Sequence, residues 1–154
     1  MTATASGPPA SDSSDDSFEP TDPDSPPYRD EGSAVSSLVY YALLVTRRRR
    51  PLFADEAVRE RVAALVRQAA EGVGAEAQRV AVLPSTVRVE LEAPATLSPH
   101  DLVGTIRRET TAGLKAEFEA VRRAHSVFVR RFMVTTVPVP ETDAVAFEED
   151  VPRR

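Results

Sequence analysis

The sequence holds no cysteine and no tryptophan, only two histidines, and a single lysine, Lys115. Without cysteine there can be no disulfide framework, no thiolate nucleophile and no thiolate-ligated metal. Such a chain suits a reducing cytoplasm, which is the expected location. His100 and His125 stand at opposite ends of one helical stretch, too far apart to ligate the same metal. No apolar run approaches the roughly 20 residues of a membrane-spanning helix. No basic-then-apolar leader is present, so no secretory signal is expected. Phosphate-loop, dinucleotide-binding, serine-hydrolase and zinc-protease motifs are missing, and neither a metal nor another cofactor is expected. Aromatic residues make up 6% of the chain, which leaves few rings for stacking on bases. Arginine almost without lysine, together with abundant alanine and valine, is the composition of GC-rich coding, and a bacterial source is expected.

The net charge of −5 conceals a division. Residues 1–34 carry eight acids against Arg29, residues 35–140 carry eleven acids against sixteen bases, and residues 141–154 carry five acids against two arginines. A body of net +5 therefore lies between ends of −7 and −3. A basic body of this kind points to a polyanionic partner. Residues 1–34, rich in Ser, Pro and Asp and poor in large apolar residues, cannot offset the entropy of ordering and are expected to be a disordered acidic arm. Residues 35–140 are expected to form one domain, and residues 141–154 an acidic tail in which ETDAVAFEEDV can form a short helix.

Within the body, SSLVYYALLVT from Ser37 is apolar at both parities, as in a strand buried on both faces. From Asp55 the residues Val58, Val62, Leu65, Val66 and Ala69 recur at helical spacing, and Gly72 and Gly74 end the helix. AQRVAVL reads as a second strand and, after Pro84-Ser85, TVRVEL as a third. Ser98, Pro99 and Asp101 open a second helix, whose apolar stripe runs through Leu102, Ile106, Leu114, Phe118 and Val121. SVFVRRFMVTTV reads as a fourth strand, stopped by Pro138 and Pro140. The order β-α-β-β-α-β is the α+β, ferredoxin-like arrangement: a four-stranded antiparallel sheet with both helices on one face. In the third strand Val87, Val89 and Leu91 then face the helices, while Thr86, Arg88 and Glu90 line the opposite face.

Arginines dominate the candidate chemistry. Arg47, Arg48, Arg49 and Arg50 form the densest basic run, and guanidinium groups bind phosphate bidentately. Arg107-Arg108, Arg122-Arg123 and Arg130-Arg131 add three pairs. On an alternating strand Arg130 and Arg131 point opposite ways, so one of them can join a shared patch.

Four segments resemble the single-tyrosine, HUH-type transposases of the smallest insertion sequences, the group that includes REP-associated tyrosine transposases. VYYALLVTRRRRPLF resembles that family's opening strand and basic loop. VLPSTVRVELEAP falls on its Met-Pro-Asp-His-Val-His strand, LVGTIRRETTAGLKAEF on its Lys-Gly-x-Ser-Ser helix, and FVRRFMVTTV on its Trp-x-x-x-Tyr-x-x-Ser-Thr-Val strand. The resemblance runs from about Ser37 to Val137 and implies the same ferredoxin-like fold. It also implies a homodimer acting on single-stranded or hairpin DNA. In the family two histidines on alternate residues hold a divalent metal, and a tyrosine on a C-terminal helix attacks the phosphate. Here Thr86 and Arg88 stand at the histidine positions and Phe147 stands nearest the tyrosine.

The expectation is a catalytically inactive relative that binds single-stranded or hairpin DNA through Arg47, Arg48, Arg49, Arg50, Arg88, Arg107, Arg108 and Lys115. Arg88 is expected to supply a fixed positive charge where the family holds its metal. Two rivals are a protein-interaction module that has lost DNA binding, and an active DNA-nicking enzyme with relocated ligands such as Glu90, Glu92 and an acid of the C-terminal tail.

Overall fold

The computed structural model describes residues 28–153. They fall into two units, one ending at Ser37 and one beginning at Leu38. In the first, β1 (Arg29–Asp30) and β2 (Val35–Ser36) pair antiparallel. The turn between them passes through Gly32 at φ +85, whose N–H donates to Asp30 Oδ1 at 2.9 Å. The disorder expected for residues 1–34 lies, for residues 1–27, outside the described residues; the remainder of that stretch contains β1.

The second unit runs β3 (Leu38–Val45), a 3₁₀ turn (Arg47–Arg49), α1 (Glu56–Gly72), β4 (Glu76–Val82), β5 (Thr86–Ala93), α2 (Pro99–Glu117), α3 (Glu119–Arg122), β6 (Met133–Thr135) and α4 (Glu141–Glu149). The strands order as β4-β5-β3-β6, all antiparallel, which is the expected ferredoxin-like sheet. Local chemistry sets the helix starts. The Asp55 side chain accepts from the Ala57 N–H and the Ser98 side chain from the Asp101 N–H, each satisfying a donor that the first helical turn leaves orphaned. Pro99 opens α2, where its missing N–H costs nothing.

Tyr40, Ala42 and Leu44 of β3, with Val87, Val89 and Leu91 of β5, pack under α1 and α2 with Val62, Val66, Leu102, Ile106 and Leu114. The two helices touch at Gly113, where a Cβ would come within 2.5 Å of Leu65 Cδ2. A residue without a side chain is what lets them approach.

Three features depart from expectation. The fourth strand is short, because the chain bulges away from β3. Met133 opposes Leu43 and Phe128 bridges Thr46, so five steps along this segment match three along β3. The two extra residues free the Arg130 carbonyl, which accepts from Arg107 Nη1 at 2.6 Å. Secondly, the second helix breaks at Phe118, whose φ −119 and ψ 118 are extended. Arg122 Nε then donates to the Lys115 carbonyl at 2.9 Å and closes the end of α2. Finally, the sheet face opposite α1 and α2 is not open at its β3 end. α4 lies on it, and Ala144, Phe147 and Val151 form a second apolar cluster with Leu43 and Val45. This cover explains why β3 is apolar at both parities.

Candidate functional site

The row Thr86, Arg88 and Glu90, expected on the helix-free face where the family holds its metal, is partly covered: Thr86 is buried and Arg88 and Glu90 are half-buried. Thr86 is 3% exposed and its hydroxyl has no hydrogen-bond partner. Arg88 reaches α4: Nη1 donates to Glu141 Oε1 at 2.8 Å, while Nη2 and Nε donate to Glu148 Oε2 at 2.8 and 3.1 Å. The hydrogen bond that Arg88 donates to Glu141 raises the guanidinium pKa above its ordinary value, against the opposing effect of burial. The same bond, with the charge of Arg88, holds the Glu141 carboxyl below the ordinary carboxylate range. Glu141 and Glu148 are seven residues apart, two turns of one helix, and so meet one guanidinium together. Phe147 is buried beside them, with the Arg131 guanidinium 5.1 Å from its ring centroid and bonded to Asp150.

These residues do not fit a divalent cation. Arg88 is itself a cation, Thr86 offers one buried hydroxyl, and the two glutamates are already spent on Arg88. Among the described residues no three His, Asp or Glu side chains converge as a metal cluster. Arg88 was expected to meet phosphate; its donors are instead taken by two carboxylates. The strand pattern placed Arg88 on the correct face but could not reveal those partners. The only signal in the sequence was the seven-residue spacing of the acids.

The other arginines gather elsewhere. Arg107 and Arg108 of α2 meet Arg130 of the bulge in a groove of about 660 Å³, with His100, Ser126 and Phe128 also in its wall. A second cavity of about 470 Å³ shares Ser126, Phe128 and Arg130 and adds Arg47. Arg47 Nη1 donates to Ser126 Oγ at 3.3 Å. Arg107 is fixed by the Arg130 carbonyl and lies 5.6 Å over the Phe132 ring. Lys115 lies outside both walls and donates to the His125 carbonyl at 3.3 Å. Arg130 joins the groove while Arg131 faces α4, the opposite orientations that strand alternation requires. Among the described residues Asp101 is the only acid in either wall.

Arg48, Arg49 and Arg50 flank the groove without lining it. Arg48 and Arg49 adopt φ of 60 and 53, the left-handed region. Each such non-glycine residue costs about 1–2 kcal/mol and persists only where surrounding structure dictates it. The turn is held by Thr46, whose hydroxyl donates to the Arg50 carbonyl at 2.8 Å, and by the Arg47 N–H bond to the Val127 carbonyl at 2.9 Å.

Comparison with known proteins follows the same lines. The crystal structure of a candidate transposase from Deinococcus radiodurans R1 superposes with a TM-score of 0.68 at 18% identity, covering 80% of this chain and 95% of the other. A REP-associated tyrosine transposase bound to a REP hairpin gives a TM-score of 0.50 at 12% identity, over 74% of this chain and 62% of the other. At such identities the likeness concerns the fold. No match is found among curated proteins. The family model described as transposase, IS200-like, matches residues 34–146, well over half of the sequence. The chain belongs to the IS200-like transposase family.

Proposed function

We propose that this protein binds single-stranded or hairpin DNA in the arginine groove and does not cut it. The carrying observation is the convergence of Arg47, Arg107, Arg108 and Arg130 on adjoining cavities with one acid in their walls. Guanidinium groups so placed can take successive phosphates bidentately. Arg48, Arg49, Arg50 and Lys115 extend the basic surface around the groove. Arg88, neutralised by Glu141 and Glu148, is left to α4. Hairpin DNA is carried over as a ligand class from the neighbour bound to a REP hairpin.

The non-cleaving part of the proposal rests on chemistry. Cleavage in this family's manner needs stabilisation of charge on the phosphate and an oxygen nucleophile. The Thr86 hydroxyl is buried, the Arg88 charge is held by Glu141 and Glu148, and Phe147 carries no oxygen. The proposal includes a homodimer, supported by the family resemblance, a bacterial source, supported by the arginine-rich and lysine-poor composition, and a cytoplasmic location, supported by the absence of cysteine. Among the described residues no helix is long and apolar enough to cross a membrane.

The test is a panel of hairpin and linear single strands incubated with the protein and Mg²⁺ or Mn²⁺. Retention of DNA without nicking or a covalent adduct is the expected result. An adduct that survives denaturation would show an active enzyme with relocated groups. Failure to retain any strand would transfer the function to a protein partner.

A further inference from the structure

A cavity of about 170 Å³ lies on the α4 side of the sheet, away from the groove, walled by Tyr41, Leu43, Arg79, Arg88, Glu90 and Ala144 among others. Three of these come from one cross-strand row: Glu90 opposes Tyr41 of β3 and Arg79 of β4. A bulge creates that row. Ala77 pairs with Leu91 and Arg79 with Glu90, which leaves Gln78 as the extra residue. Strict alternation would send Arg79 to the same face as buried Ala77. The bulge turns it to the face of Glu90, and re-aiming a side chain is what bulges beside sites characteristically do.

The row is unspent. Arg79 and Glu90 are direct cross-strand neighbours of opposite charge, a position where ion pairs normally form. Yet among the described residues neither side chain has a hydrogen-bond or ion-pair partner, and neither has the Tyr41 hydroxyl. Arg88, one row further, is held by its glutamates. With Arg88 neutralised by Glu141 and Glu148, and Arg79 balanced by Glu90, the cavity offers no net positive charge to a phosphate. It is well below the roughly 300 Å³ at which drug-sized sites begin, and it has room for one flat ring system.

We infer that this cavity receives a single unpaired guanine, an inference that rests on the DNA-binding proposal above. Unpaired bases are read by stacking on aromatic rings and by hydrogen bonds along their edges. Tyr41 provides the ring. Glu90 is acceptor-only when ionised and matches two adjacent donors, which among the four DNA bases guanine alone presents, at N1–H and the 2-amino group. Arg79 is the donor suited to guanine O6 and N7. Adenine and cytosine offer Glu90 a single amino group and thymine a single ring N–H.

The test measures fluorescence anisotropy of labelled all-thymine strands carrying one central guanine, adenine or hypoxanthine, or thymine throughout. The guanine strand is expected to bind roughly 5- to 150-fold more tightly, the range for one bidentate base contact. Hypoxanthine, lacking the 2-amino group, is expected to lose most of that gain. Glu90→Gln and Arg79→Ala are expected to abolish the guanine preference and leave all-thymine affinity and the unfolding temperature unchanged. Equal binding of all strands would overturn the guanine pocket while the DNA-binding proposal stands. If no strand binds, that proposal fails, and dialysis against deoxyguanosine and deoxyadenosine monophosphates decides the pocket alone. Selective uptake of the guanine nucleotide, lost in Glu90→Gln, would support it, and no uptake would overturn it.

Discussion

Arg88 makes three hydrogen bonds to two carboxylates of a helix more than fifty residues away in sequence. With its side chain 25% exposed and that of Glu148 14% exposed, the pair is more than a surface ion pair, whose worth is typically below about 1 kcal/mol. Arg88→Ala leaves Glu148 enclosed without its partner, and a loss of about 1–3 kcal/mol is expected, the range for hydrogen bonds to charged groups. Chemical denaturation measures it; an unchanged midpoint would show the contact to be incidental. At this scale the sequence was legible in direction only. Alternation placed Val87, Val89 and Leu91 inward and Arg88 outward, because a strand's periodicity is local. Whether a charge facing outward meets water or a carboxylate depends on where a distant helix lands.

At the scale of elements, α4 is joined to the sheet by an apolar stripe, by Arg88 and by Arg131. The Glu141 carboxyl titrates below its ordinary range in the folded protein. Its contribution is therefore fully present above the ordinary carboxylate value and is lost as pH falls through the lowered one. With intrinsic exchange rates divided out, protection along residues 141–149 should fall as pH drops below the ordinary carboxylate range, and Glu141→Gln should flatten that dependence. Protection independent of pH in the unmodified protein would contradict the linkage. Gly113 tests the contact of α1 with α2. Alanine gains about 1 kcal/mol of helix propensity, but its Cβ meets Leu65, and overpacking costs about 1–3 kcal/mol. Gly113→Ala should lower stability by up to about 2 kcal/mol, whereas a gain would mean that Leu65 swings aside freely. The sequence showed Gly113 as a weak point in a helix; only the packing of two helices makes it a requirement. Elements with local causes, such as the helices opened by Asp55 and Ser98, were legible. The fourth strand was not, because its bulge is set by pairing with β3 and by Arg107 reaching from α2. For the same reason the strand pattern could not say that Arg130 would complete a groove with Arg107 and Arg108.

Over the whole molecule, charge is sorted along the chain, with a body of net +5 between ends of −7 and −3. Deleting residues 1–34 removes seven net negative charges. DNA affinity should therefore rise at low ionic strength and converge with that of the full chain near physiological salt, where the Debye length is about 8 Å. Equal affinity at low salt would mark the arm as electrostatically idle. The central claim is that the arginine groove, rather than the sheet face of Arg88, holds nucleic-acid phosphate. The most direct measurement is the salt dependence of single-strand binding by the wild-type protein, by an Arg108→Ala/Arg130→Ala variant and by Arg88→Ala. Each phosphate contact on a single strand contributes about 0.7 to the slope of log affinity against log salt. The double variant should lose about 1.4 from that slope, and Arg88→Ala should keep it. A slope unchanged in the double variant but reduced in Arg88→Ala would contradict the claim and return the phosphate to the face of the sheet.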